Sequence, residues 1–233
     1  MIAAIATAGV AAGASLLGYN CFSPTSQLYG RTVTHCPQSD QLALTYDDGP
    51  NDLHTERLLE LLSERQVRAT FFLIGNFVRA RPQIARAIAA GGHVIGNHTQ
   101  SHPNLLLLSS RGIRQEISDS SKAIADAVGA NVSWFRPPFG ARRPLVLRIA
   151  RELGLKPVMW SATCFDWKAT TAAVIEANAR HKIDGERGRG HIVLLHDGGH
   201  SQLGADRSHT VEASRLLIER YQREYRFITV DEM

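Results

Sequence analysis

A parallel α/β sheet is the fold this 233-residue sequence predicts, and three observations carry it. Short β-rich apolar runs alternate with longer stretches of helical periodicity. Seven such runs with six helical stretches between them require crossover connections rather than hairpins. Polar residues of catalytic type stand just after five of the seven runs, where parallel α/β folds collect their ligands.

The strand candidates are "LALTY" at 42–46, "ATFFLI" at 69–74, "HVIGN" at 93–97, "SWFRP" at 133–137, "KPVMWS" at 156–161, "HIVLLH" at 191–196 and "RFITV" at 226–230. Leu58, Leu59, Leu61 and Leu62 recur at three- and four-residue spacing and predict the first helix. The others are expected at about 80–90, 109–128, 143–153, 171–182 and 210–224. An open doubly wound sheet and a closed barrel both satisfy this alternation.

The length suits one sizeable domain, with residues 41–233 as its body and 21–40, rich in Pro, Ser and Gly around "SPTSQLYG", as a connector. A net charge of +4 comes from 26 basic and 22 acidic residues spread along the chain, which argues against a nucleic-acid partner. Cys21, Cys36 and Cys164 show no CxxC spacing, so no structural zinc site or disulfide framework is indicated. A single Cys21–Cys36 bridge is left open if the domain is exported.

Residues 2–18, "IAAIATAGVAAGASLLG", run for 17 positions without a charge, close to the lower limit for a membrane span. A signal or membrane-anchor segment over residues 1–20 is expected, placing the protein outside the cytoplasm or facing the cell envelope. No basic n-region and no clean A-x-A site accompany the run, so cleaved signal and retained anchor are not separated. An apolar helix packed on the domain is the plain alternative.

Chemistry collects at the strand exits. Asp47 and Asp48 follow the first run, His98 and His102 the third, Arg136 the fourth, Asp166 and Trp167 the fifth, and His196 and Asp197 the sixth. In "HTQSH" a single helical turn would bring both imidazoles to one side, as a metal requires. Two neutral imidazoles plus one carboxylate form a three-ligand divalent site with positions open to water. Zinc is the expected ion, with Co2+, Mn2+ or Ni2+ as alternatives. One of the adjacent aspartates would be the ligand and the other a general base beside it, the cation offsetting their repulsion. A turn with Asp48 as helix N-cap is the competing reading. Arg136 in "RPPFG" is able to clamp a carboxylate bidentately, and His196 reads as a general acid or as a structural histidine. No GxSxG elbow, P-loop or GxGxxG fingerprint is present, and Cys164 has no nucleophile signature.

The motifs "TYDDGP", "HTQSH", "RPPFG", "FDW" and "IVLLHD", in this order, resemble those of the NodB-type polysaccharide deacetylases, carbohydrate esterase family four. The resemblance runs from about Leu42 to Val230 and implies a distorted (β/α) barrel of seven parallel strands. It implies metal-dependent removal of acetyl groups from sugars: here, N-acetyl groups of N-acetylglucosamine-containing polysaccharide or oligosaccharide, chitin-like or peptidoglycan. O-acetylated xylan, a formylated lipid-linked amino sugar, or a non-catalytic carbohydrate-binding role are the alternatives. By resemblance Asp47 is the general base, Asp48, His98 and His102 hold the metal, and Arg136 orients Asp47. His196 is the acid, Asp166 tunes it, the Phe139 N–H holds the oxyanion, and Trp167 and Leu194 line the acetyl pocket. A monomer is expected. Thr163 departs from the family's frequent D-x-x-D-W, and Tyr46 stands where Phe is commoner.

Overall fold

The computed structural model of the protein describes residues 18–169 and 171–233. In chain order the regular elements are β1 (Gln41–Gly49), α1 (His54–Glu64), β2 (Thr70–Leu73), α2 (Gly75–Ala80), α3 (Pro82–Ala90), β3 (Val94–Asn97), α4 (Ser110–Val128) and β4 (Trp134–Phe135). Then follow α5 (Pro144–Glu152), β5 (Lys156–Pro157), β6 (Ala162–Thr163), α6 (Ala172–Gly185), β7 (His191–His196), α7 (Ser208–Tyr221) and β8 (Arg226–Phe227).

All strand pairs are parallel, in the order β5-β4-β3-β2-β1-β7-β6, with β8 joining β1. Each expected run forms strand, but the fifth, at 156–161, does so only at Lys156–Pro157, and β6 begins just past its end at Ala162. Pro157 has no N–H to continue a ladder, and beyond it the chain crosses from one side of the sheet to the other. Val158 N–H donates to the Phe135 carbonyl at 2.9 Å, and Ser161 N–H reaches the Ile192 carbonyl of β7 at 3.0 Å. One stretch thus links β4 to β7 and curls the sheet into the distorted barrel.

The strands alternate between two cores. Leu42, Leu44 and Tyr46 of β1, Phe71 and Leu73 of β2, and Val193 and Leu195 of β7 pack outward on helices α1, α6 and α7. Ala43, Phe72, Ile192 and Leu194 point inward to meet Trp134, Met159 and Trp160. Both faces are covered, so every residue of β1 is buried and Leu42–Leu44 are apolar on both faces. The inward series Ala43, Thr45, Asp47 carries the first catalytic candidate into the barrel mouth.

The helix expected at about 80–90 is α3, and a short helix the periodicity does not predict, α2, precedes it; Pro82 opens α3 at its first turn and cannot continue α2. Ser109 caps α4, its hydroxyl accepting from Gly112 N–H at 3.2 Å. Residues 21–40 are tied to the barrel. Val33 bridges Val158, Arg142 donates to the Ser23 and Ser26 carbonyls at 2.6 and 2.8 Å, and the Cys36 thiol donates to the His191 carbonyl at 3.0 Å. Cys21 and Cys36 are free thiols, so the structure does not contain the bridge between them. Among the described residues no helix is long and apolar enough to cross a membrane. The apolar run at 2–18 lies, but for Gly18, outside the described residues.

Candidate active site

A regular strand would send the side chains of Asp47 and Asp48 to opposite faces. The register of β1 against β2 shifts between Asp47 and Gly49, and Asp48 is left-handed with φ 71°, a bulge that re-aims its carboxylate. Both aspartates therefore face the same place: the His98 Nε2 atom lies 3.7 Å from Asp47 Oδ2 and 3.5 Å from Asp48 Oδ1. Behind them Gly198 has no side chain because a Cβ there would lie 2.1 Å from the Asp48 carbonyl oxygen.

His98 and His102 do not share a helical turn. Thr99 and His102 are both left-handed, with φ 69° and 59°, and this loop brings the two rings to 4.9 Å between centroids. Its anchor is Thr99 N–H, which donates to the Asn97 side chain at 2.8 Å, and Asn97 in turn donates to the Ile117 carbonyl of α4 at 2.8 Å. Nor does Asp48 cap α1, whose N-cap is Leu53 with no side-chain hydrogen bond.

The donor set of Asp48, His98 and His102 fits a divalent cation. Ligand atoms from all three buried residues lie within 4.8 Å of one another. His98 Nδ1–H donates to the Arg136 carbonyl at 2.8 Å, so Nε2 presents a bare lone pair toward a carboxylate oxygen. His102 Nε2 is 3.2 Å from Asp48 Oδ1, yet that oxygen has no hydrogen-bond partner. Acceptors facing one another in a buried site are unfavourable unless a cation stands between them. Burial lowers the His102 pKa to about 3, although Asp48 opposes this. Burial would raise Asp48, but His98, His196 and His102 hold it well below the usual carboxylate range. A neutral imidazole beside an ionised carboxylate is the state that metal binding requires.

Arg136 is fully buried and donates through Nη1 to Thr45 Oγ1 and Asp47 Oδ1, each at 2.8 Å. Thr45 and Asp47 are two residues apart on one face of β1, so one nitrogen reaches both. The clamp is not bidentate, because Nη2 donates to the Met159 carbonyl at 2.9 Å instead. The guanidinium lies 4.2 Å over the Phe72 ring.

Opposite the metal-type triad, His196 ends β7. Its Nδ1–H donates to Asp166 Oδ1 at 2.8 Å, its backbone N–H to Asp166 Oδ2 at 2.8 Å, and Thr210 Oγ1 donates to that oxygen at 3.0 Å. Burial alone would lower the His196 pKa, but Asp166, with Asp48 and Asp47, raises it to about 9. Asp166 stays below the ordinary carboxylate range because His196 and Arg207 outweigh its burial.

Of the ten residues to which the resemblance gives roles, Asp47, Asp48, His98, His102, Phe139, Trp167, Leu194 and His196 line one cavity of about 750 Å3. Arg136 and Asp166 stand behind it, each bonded to a lining residue. Thr163, at the departure from D-x-x-D-W, accepts from the Trp160 indole N–H at 2.8 Å, leaving that wall neutral. Cys164 is fully buried and its thiol pKa is pushed well up, so it offers no nucleophile. Sequence reasoning passed over His200, stacked on His102 at 4.6 Å with Nδ1 3.8 Å from Asp48 Oδ2. The signal was present in "HDGGH", a second histidine four residues after His196. Phe165, also on the cavity wall, is the first residue of "FDW", a motif read only for Asp166 and Trp167.

The family model described as polysaccharide deacetylase matches residues 34–158, more than half of the chain. The chain belongs to the polysaccharide deacetylase family. It is 36% identical over 170 residues to a chitooligosaccharide deacetylase of Azorhizobium caulinodans, covering 72% of this chain and 79% of that one. It is 35% identical over 208 residues to a peptidoglycan-N-acetylglucosamine deacetylase of Bacillus cereus, covering 88% of this chain and 93% of the relative. Among solved structures, a family-four pseudoenzyme from Bacillus anthracis superposes with a TM-score of 0.77 at 29% identity, over 87% of this chain and 68% of that one. The same fold thus occurs with and without activity, so side chains rather than topology decide what it does.

Proposed function

We propose that this enzyme is a metal-dependent deacetylase that removes N-acetyl groups from N-acetylglucosamine-containing polysaccharide or oligosaccharide, of chitin or peptidoglycan type. One observation carries the reading: a metal-type triad, an arginine-held carboxylate and a carboxylate-held imidazole meet in a single cavity. The substrates named for the Azorhizobium and Bacillus cereus relatives agree with it.

Asp48, His98 and His102 would hold the ion, for which zinc is the choice by donor set, with Co2+, Mn2+ or Ni2+ as alternatives. Such an ion, when bound, supplies Lewis acidity at the acetyl carbonyl and lowers the pKa of water. Asp47, oriented by Arg136, accepts the proton of the attacking water. The Phe139 backbone N–H, on a left-handed turn of φ 59° at the cavity wall, donates to the oxygen that becomes anionic. His196 enters protonated, held so by Asp166, and gives its proton to the departing amine. An amine without that proton is a very poor leaving group. Trp167 and Leu194 enclose the acetyl methyl. In this reading residues 2–18 export the protein or anchor it at the cell envelope, where such polymers lie, and it acts as a monomer.

The test is mass-spectrometric deacetylation of defined chitin and peptidoglycan fragments, alongside metal analysis of the purified protein. Acetate release that stops with metal removal and returns with zinc is expected. Full activity in metal-free protein would overturn the reading, and formate release or a preference for acetylxylan would move it to another substrate. A xylanase-linked family-four domain shares the fold at 31% identity and TM-score 0.71, covering 83% of this chain and 88% of that one.

A further inference from the structure

We propose that Asp197 is a positioning residue for the metal-type site: its buried carboxylate holds the bulge at Asp48 and Gly49 in place and thereby sets how tightly the triad binds a divalent cation. The inference rests on the metal-dependent reading and deepens it.

Asp197 follows His196 at the exit of β7 but faces away from the cleft. Along β7, Ile192 and Leu194 point inward, whereas Val193 and Leu195 pack against the helices. Asp197 continues the second series, and its carboxylate meets α1, where the Thr55 hydroxyl donates to Oδ2. Only 1% of Asp197 is exposed, and its Oδ1 has no hydrogen-bond partner. Burying a carboxylate on this face is costly, and packing alone would place an apolar side chain there.

What the carboxylate touches is the bulge. The ladder between β1 and β7 ends at Asp47 and His196, so the next residues, Asp48 and Asp197, meet outside its register, and Asp48 is left-handed there. A glycine on each strand lets the two chains close together. A Cβ on Gly49 would lie 2.4 and 2.6 Å from the Asp197 carboxylate oxygens, and one on Gly198 would lie 2.1 Å from the Asp48 carbonyl oxygen. Asn51 secures the far side: its N–H donates to Thr55 Oγ1 at 2.8 Å, and its side-chain amide donates to the Asp197 and Ala205 carbonyls at 2.9 and 2.8 Å. The chain is thus pinned before the bulge by the ladder at Asp47 and after it by Asn51, with the Asp197 side chain filling the gap between. Asp48 Oδ1 lies 3.5 Å from His98 Nε2 and 3.2 Å from His102 Nε2, so a shift of this turn moves one ligand against the other two. Groups that hold a ligand without touching the ion govern affinity in this way.

The experiment compares wild type, Asp197→Ala, Asp197→Asn and Thr55→Val by equilibrium dialysis of Zn2+, the visible spectrum of the Co2+-loaded protein, and denaturant unfolding of the metal-free protein. Asp197→Ala is expected to weaken zinc binding about 10- to 100-fold and to change the Co2+ spectrum, which reports ligand geometry. Asp197→Asn keeps the size of the side chain and an acceptor for Thr55, so it should bind zinc with close to wild-type affinity. Thr55→Val leaves Asp197 in place without its donor and should show a smaller loss in the same direction. Lower stability of Asp197→Ala with zinc affinity and spectrum unchanged would reduce Asp197 to a packing residue and overturn the proposal. An equal loss in Asp197→Asn would assign the effect to charge rather than position and overturn it as well. If Asp197→Ala fails to fold, Thr55→Val decides: weaker zinc binding supports the proposal, and unchanged affinity overturns it. Wild type that binds no zinc would overturn the metal-dependent reading and the proposal together, whereas equal binding by all four proteins would overturn the proposal alone.

Discussion

On one flank of the cleft Asp48, His98 and His102 point lone pairs at one another, and Asp48 Oδ1 and His102 Nδ1 are buried without hydrogen-bond partners. On the other flank the Asp166 carboxylate accepts from the His196 ring, the His196 backbone and Thr210, which satisfies both oxygens from within the chain. The first flank is held by left-handed residues, Asp48, Thr99 and His102, while His196 sits in the regular ladder of β7 opposite Asp47. Half of the site is thus complete as folded, and half is arranged around a charge that the chain does not supply. The two halves should respond differently to metal, pH and mutation.

The largest effect follows from the unsatisfied flank. Chelation should reduce deacetylation to background and lower thermal stability, because a ligand that binds only the folded state at a hundred times its Kd stabilises by about 2.7 kcal/mol. Adding Zn2+ should restore both, as scanning calorimetry with an activity assay would show; a melting temperature indifferent to zinc would erase the contrast. The satisfied flank should be insensitive to metal but not to mutation. His196→Ala is expected to lower kcat about a hundredfold or more while equilibrium dialysis finds its metal affinity intact.

A smaller change comes from Asp166→Asn. The acid must be protonated, and the raised His196 pKa of about 9 keeps it so through neutral pH and loses it as pH rises past that value. Removing the carboxylate withdraws the support of the imidazolium, so the alkaline limb of the kcat profile should move down by about 1–3 units. An unmoved limb would mean that another group titrates there. Thr210→Val deletes one neutral hydroxyl donor to Asp166 and should cost only about 0.5–1.5 kcal/mol of stability in denaturant unfolding.

The two flanks also differ in how far the sequence discloses them. His196 and Asp166 are legible because they lie just past apolar runs, and strand exits in a parallel sheet face one end of the barrel. The runs are themselves legible because β1 and β7 are covered on both faces. The metal flank is legible in composition but not in geometry. Period-two alternation puts Asp47 and Asp48 on opposite faces, and helical spacing puts His98 and His102 on one turn. Both rules yield to positive φ angles that non-glycine residues seldom adopt. The early end of strand in the fifth run and the break between α2 and α3 have local signals in Pro157 and Pro82, whereas the crossing from β4 to β7 depends on contacts distant in sequence. His200 and Phe165 belong to loops whose path no periodicity encodes.

The sharpest division lies inside the "DD" pair itself, where one carboxylate is held by Arg136 and its neighbour is aimed at two imidazoles. The most direct measurement is metal stoichiometry and affinity, with kcat at saturating metal, for Asp47→Asn and Asp48→Asn side by side. Asp48→Asn should bind zinc far more weakly, while Asp47→Asn should keep its zinc and lose kcat by about 100- to 10,000-fold. Equal loss of metal in both variants would contradict the division of labour on which this account rests.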